Sequence, residues 1–241
     1  MLGTGMWISM RKIKNGVLLM QNKADGVDYS KYIEHSLLRP DASEKDIYKL
    51  CEEAKKYGFA AVAITPANVR YAAKFLEGTD IIVDAAIGFP LGTVTTFVKV
   101  AETIDAIRNG AREVDMVINI AALKEGKDDF VLEEMKAVVE AAHPDVPVKV
   151  ILETFLLNDE EKRRACELAV QAGIDYVKTC TGFNGGCATV EDILLMRDTV
   201  KGKCKIKAST GINDRKTAAD LINAGAQRLG TSKGILIVEG K

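Results

Sequence analysis

The sequence is poor in the residues on which metal, disulfide and nucleic-acid chemistry usually rest. It has two histidines, His35 and His143, and His143 falls just before Pro144 at an expected helix end, where it reads as a surface residue. A histidine-based metal site therefore has little to draw on. The five cysteines (Cys51, Cys166, Cys180, Cys187, Cys204) are scattered without a CxxC pair, which fits free thiols in a reducing cytosol better than disulfides or a zinc site. An excess of one charge is missing too. With 33 Lys and Arg against 34 Asp and Glu, the net charge is -1, so no overall field favours nucleic acid or an anionic membrane. The apolar runs, such as AAVAI at 60–64 and GILIV at 234–238, are far shorter than the roughly 20 residues of a membrane helix. Arg11, Lys12 and Lys14 interrupt any apolar stretch in residues 1–27, which also lack a cleavage-site pattern. That segment is expected to be an extension, disordered or a start-site artefact given Met10 and Met20, ahead of one cytoplasmic domain at 28–241.

What the sequence does contain is one repeated cycle: a short apolar run, a capped amphipathic segment, then a glycine or turn. The apolar runs are YIEHSLL from Tyr32, FAAVAIT from Phe59, IIVDAAIGF from Ile81, EVDMVINI from Glu113, VPVKVILET from Val146, YVKTCT from Tyr176, CKIKAS from Cys204 and RLGTS from Arg228. Between them lie helix signals. Ser43 with Asp46 precedes Ile47, Leu50, Cys51, Ala54 and Tyr57 on one face, closed by Gly58. Asn158 with Glu161 and Thr189 with Asp192 repeat the pattern. Eight such strands alternating with helices predict an α/β protein, a single-domain (β/α)8 TIM barrel with a parallel sheet. An open doubly wound sheet is the alternative, but no GxGxxG follows the first strand.

Strand alternation places charge inside this barrel, because every second residue of a strand faces the same way. Val114, Met116, Ile118 and Ile120 form an apolar outer face, which turns Glu113, Asp115, Val117 and Asn119 inward. The same parity sends Lys149, Ile151 and Glu153 inward, and likewise Lys178, Lys205 and Lys207. An ionised group buried without a partner costs several kcal/mol, so these charges are either paired as a structural plug or put to use. Their place favours use. Asp115, Lys178 and Lys207 sit in strands that run into loops bearing Gly, Thr or Asn, at the end of the barrel where active sites form.

A lysine with an ordinary pKa near 10.4 is neutral in on the order of one molecule in a few thousand at pH 7. Desolvation and a nearby second ammonium lower that pKa, and Lys207 can serve Lys178 in this way if strands six and seven are neighbours. A neutral lysine forms a Schiff base with a carbonyl, and the iminium stabilises a carbanion on the adjacent carbon. Asp115 is the inward carboxylate able to move protons directly or through water. Glycines gather at the late strands: Gly182 after the sixth, Gly185 and Gly186 in the following loop, Gly211 after the seventh, and Gly230 within the eighth, beside Thr231, Ser232 and Lys233. They read either as turn geometry or as backbone amides that cradle a phosphate.

The segments EVDMVINI, YVKTCTGF, GGCATVEDILLMR, KIKASTGI and RLGTSKGILIVEG, with IEHSLLRP and IGFPLG, together resemble the deoxyribose-phosphate aldolase family of class I, DeoC type. The resemblance runs from about Tyr29 to the end. It implies a (β/α)8 barrel that reversibly cleaves 2-deoxy-D-ribose 5-phosphate to D-glyceraldehyde 3-phosphate and acetaldehyde in deoxyribonucleoside and carbohydrate catabolism, without metal or organic cofactor. It further implies Lys178 as the Schiff-base lysine, Lys207 as its perturbing neighbour and Asp115 as the proton donor and acceptor. Phosphate contacts fall to Gly182, Gly211, Gly230 and Ser232. The implied partners are a phosphorylated sugar and an aldehyde, with a homo-oligomer, dimer or tetramer, and no nucleic acid or membrane. Four positions depart from the family pattern: Thr210 stands where a glycine is usual, Glu34 replaces an aspartate, Ala63 a cysteine, and Lys233 follows Ser232 where a small residue is common. Two alternatives remain open at this point, an aldolase with a different donor or acceptor and a non-catalytic sugar-phosphate-binding barrel.

Overall fold

A computed structural model describes residues 26–142 and 144–240. Nearly all of the expected extension, residues 1–25, and His143 lie outside them. The eight strands are β1 (Ile33–Leu37), β2 (Ala61–Ile64), β3 (Ile82–Ile87), β4 (Glu113–Val117), β5 (Val148–Ile151), β6 (Tyr176–Lys178), β7 (Lys205–Ser209) and β8 (Arg228–Thr231). All pair in parallel in sequence order, and β8 pairs with β1 to close the barrel. Around it run α1 (Glu44–Tyr57), α2 (Val69–Phe75), α3 (Thr96–Arg108), α4 (Ile120–Lys124), α5 (Asp128–Ala142), α6 (Asp159–Ala172), α7 (Val190–Val200), α8 (Arg215–Ala224) and α9 (Gly234–Glu239). The chain is a (β/α)8 barrel, as its alternation of patterns requires.

The helices begin where their caps are written. Ser43 and Asp46 form a reciprocal capping box on α1, Asn158 and Glu161 form another on α6, and Gly58 and Gly173 end those helices in left-handed conformation. Thr189 caps α7 through its side chain. Asp192 does not complete a box there; its carboxylate pairs with Lys162 of α6 at 2.7 Å, tying two neighbouring helices together.

The outward strand faces build the main hydrophobic core against the helices: Val62 and Ile64, Val83 and Ala85, Val114 and Met116, Val148 and Val150, Ile206 and Ala208, all buried. The opposite faces fill the barrel with Glu34, Ala61, Ala63, Asp84, Ala86, Glu113, Asp115, Lys149, Lys178 and Lys207, also buried. Three small alanines on β2 and β3 leave room for the long side chains arriving from β5, β6 and β7.

Two expected inward residues behave differently. Lys205 has the inward parity but is exposed, at the amino-terminal rim, where its ammonium lies 5.2 Å from the centre of the Tyr176 ring. Parity fixes the face and not the depth. Asn119 lies past the end of β4, where its side chain accepts the Ala122 N–H at 3.1 Å and caps α4 instead of facing the lumen.

Candidate active site

Register brings the two proposed lysines together, because Lys178 of β6 stands opposite Lys207 of β7. Both donate to one oxygen of Asp115, Lys178 at 2.5 Å and Lys207 at 2.6 Å. The other Asp115 oxygen faces Lys149 at 3.0 Å. Lys149 also meets Glu113 at 2.7 Å, Asp84 at 3.1 Å and Glu34 at 3.8 Å. Lys207 donates to Glu34 as well, and to Asp84 at 2.9 Å. Arg228, the first residue of β8, reaches Glu34 at 3.3 Å and Glu113 at 3.5 Å. Four carboxylates and four cations thus form one buried network.

The three lysines share burial but not partners, and this divides them. Burial pushes all three ammonium pKa values down. For Lys149 the fields of Asp115, Asp84, Glu34 and Glu113 outweigh burial, and its pKa ends well above the ordinary value. For Lys207 burial is likewise overcome by Asp115, Asp84 and Glu34, and the pKa is raised. Lys178 goes the other way. Burial lowers its pKa, Asp115 opposes without overcoming it, and Lys207 adds to the lowering. Asp115 is held well below the usual carboxylate range: burial would raise it, but Lys149, Lys178 and Lys207 prevail. Asp84 is pushed up to about 6 by burial and by the charge of Asp115.

Above this network the strand ends carry the glycines. Gly182 and Gly211 are exposed in the loops after β6 and β7, and Ser232 is exposed after β8. Their backbone N–H groups make no hydrogen bond among the described residues, so three donors stand free on adjacent loops. Gly230 sits lower, within β8. A side chain there would approach Ser209 Cβ to 3.0 Å and Lys207 Cε to 3.3 Å, so the missing Cβ makes room for the lysine. Thr210 adopts a left-handed backbone, φ 75°, and its hydroxyl lies 2.8 Å from where a Gly182 Cβ would stand. A concavity of about 490 Å³ lies outside the barrel lumen between α6, α7 and the loop after β6. Neither Lys178 nor Asp115 lines it.

Residues 33–237 match the DeoC/LacD family of aldolases.

The chain belongs to that family.

It is therefore a lyase with an aldolase role. A deoxyribose-phosphate aldolase of a Geobacillus species is 56% identical over 212 residues, which cover 88% of this chain and 95% of that protein. A solved structure described as the aldolase QR15 is 43% identical with a TM-score of 0.85, covering 88% of this chain and 95% of that one. The deoxyribose phosphate aldolase of Aeropyrum pernix, described as a unique tetrameric structure, is 29% identical with a TM-score of 0.81, covering 88% of this chain and 89% of that one.

In this family member Asp84 joins the site from β3, and alternation in IIVDAAIGF carried the signal, since Val83, Ala85 and Ile87 face outward. Lys149 was visible as an inward residue but had no role until its four carboxylate neighbours were seen. The carboxylates of Glu34, Asp84 and Asp115 lie within 4.8 Å of one another, close enough in principle for a cation. Two ammonium groups already sit among them, so a divalent ion would have to displace Lys149 and Lys207. No membrane-spanning helix, long and apolar enough, occurs among the described residues.

Proposed function

We propose that this aldolase reversibly cleaves 2-deoxy-D-ribose 5-phosphate to D-glyceraldehyde 3-phosphate and acetaldehyde through a Schiff base on Lys178. The observation that carries the reading is the contrast among the three lysines of the barrel lumen: of Lys149, Lys178 and Lys207, Lys178 alone has its pKa lowered, and it touches Asp115 at 2.5 Å. The neutral amine adds to C1 of the open-chain sugar, and loss of water leaves an iminium. Asp115, directly or through a water, takes the proton of the C3 hydroxyl as the C2–C3 bond breaks. The bond electrons flow into the iminium and give an enamine, and glyceraldehyde 3-phosphate leaves. Protonation at C2 and hydrolysis then release acetaldehyde and restore the amine. Lys207 stays charged and disfavours a charge on Lys178 before attack.

The free amides of Gly182, Gly211 and Ser232 support their proposed role at the phosphate, and Gly230 contributes by admitting Lys207 beside the carbonyl site. The same reading places the enzyme in deoxyribonucleoside and carbohydrate catabolism in the cytoplasm. A dimer or tetramer is part of it, supported by the tetrameric Aeropyrum relative and by exposed Leu91 and Phe97, which are 56% and 79% accessible. Reduction with borohydride in the presence of acetaldehyde should add a two-carbon group to the peptide containing Lys178. No adduct, or one on Lys207 alone, would refute the mechanism.

A further inference from the structure

Glu153 follows β5 by two residues, fully buried, and it adopts a left-handed backbone, φ 56° and ψ 58°. A side chain in that region is strained, and glycine would relieve the strain. That a glutamate stands there directs attention to what its carboxylate holds. It accepts the Thr181 hydroxyl at 2.5 Å, the Thr181 N–H at 3.3 Å and the Asn184 side-chain amide at 2.9 Å. Among the described residues no lysine, arginine or histidine pairs with it, so a buried carboxylate is satisfied only by neutral donors of the loop between β6 and α7.

Thr181 lies in that loop three residues after Lys178. The Thr181 hydroxyl, while donating to Glu153, accepts the Phe183 N–H at 3.1 Å, which anchors the chain on both sides of Gly182. Thr210, another non-glycine residue in left-handed conformation, lies just past β7 with its side chain over Gly182, 2.8 Å from where a Cβ there would stand. Between these two braces lies the Gly182 N–H, exposed and without a partner among the described residues. We infer that Glu153 is a positioning residue for the phosphate, fixing the loop so that the Gly182 amide is held ready for the anion. The inference rests on the aldolase reading above, and it assigns Glu153 no part in the bond-breaking steps.

Phosphate recognition and carbon–carbon cleavage can be read separately by comparing 2-deoxyribose 5-phosphate with unphosphorylated 2-deoxyribose. E153Q places an amide against the Asn184 amide and weakens the brace, and T181V removes its hydroxyl. Each should lower the ratio of kcat/KM for the phosphorylated over the unphosphorylated sugar about tenfold, with kcat/KM for 2-deoxyribose itself unchanged within about twofold. T181S should restore the ratio, and the double variant should be no worse than either single one. Inorganic phosphate, tested by thermal protection, should stabilise the wild type more than E153Q at equal concentration, a readout independent of turnover. Equal losses on both sugars, an unchanged ratio, or equal phosphate protection would overturn the inference. A wild type that protects with phosphate but cleaves neither sugar would instead defeat the aldolase reading.

Discussion

Asp115→Asn separates the two tasks assigned to this carboxylate, because it keeps the shape and removes the charge. Three ammonium nitrogens lie on Asp115 at 2.5, 2.6 and 3.0 Å, so the change removes a charge from three contacts at once. The loss does not fall evenly. Lys207 keeps Glu34 and Asp84, and Lys149 keeps Glu34, Asp84 and Glu113, whereas Lys178 loses its sole ion-pair partner among the described residues. An opposite charge this close moves a pKa by about one to three units, each worth about 1.4 kcal/mol. The pH dependence of Schiff-base trapping at Lys178 should therefore move toward acid, by an amount on that scale. Turnover should fall by about a hundredfold to ten-thousandfold, the usual contribution of a positioned proton carrier. Borohydride trapping with acetaldehyde, followed by peptide mass spectrometry at a series of pH values, measures the first. Coupled assay of 2-deoxyribose 5-phosphate cleavage measures the second. Turnover within threefold of wild type, or trapping that requires a higher pH than wild type, would refute the reasoning.

Two further outcomes concern stability. Lys99, fully buried, donates to Glu134 at 2.7 Å and to the Val117 carbonyl at 2.8 Å; Lys99→Met strands the Glu134 carboxylate and should cost about 3–5 kcal/mol in urea unfolding, while adding Glu134→Met should recover most of the loss. A single-variant cost below about 1 kcal/mol would contradict this account. Asp84 has a folded pKa raised from 3.8 to about 6, so its proton stabilises the fold fully below pH 3.8 and this contribution is lost as pH rises through 6. Asp84→Asn should remove that component, and the wild type should lose stability relative to the variant between those pH values; a constant difference across the range would show the raised pKa to be wrong.

Much of this site was legible from alternation alone. The outward apolar residues of EVDMVINI and CKIKAS forced Asp115 and Lys207 into the lumen, and the strand order placed Lys178 beside Lys207. What alternation does not carry is depth and company. Lys205 and Lys207 share a face, yet one rests in solvent at the rim and the other is sealed among carboxylates, a difference set by barrel closure and not by local pattern. Asp84 carried the same signal as Asp115 but lay in a nearly continuous apolar run, where one acidic residue is easily read as incidental. Asn119 misled for a chemical reason: an amide at a strand end competes for a helix cap, and here the cap prevails. Gly230 was legible as a residue of the eighth strand, but not that its want of a side chain makes room for the lysine packed against it.

The network also shows which force separates the two facing lysines. Proximity of a second ammonium is a symmetric effect, since each lysine repels the other, and by itself it cannot decide which of Lys178 and Lys207 becomes neutral. Burial is nearly symmetric too, as both are sealed from solvent. The asymmetry comes from the carboxylates. Lys207 touches three of them, Glu34, Asp84 and Asp115, while Lys178 touches only Asp115 and shares it. The negative field is therefore densest at Lys207, whose pKa is raised, while that of Lys178 is lowered. Glu34 strengthens this division, because from β1 it reaches Lys207 and Lys149 but not Lys178. Its position, more than its charge as such, favours the charged form of Lys207 without an ion pair to Lys178.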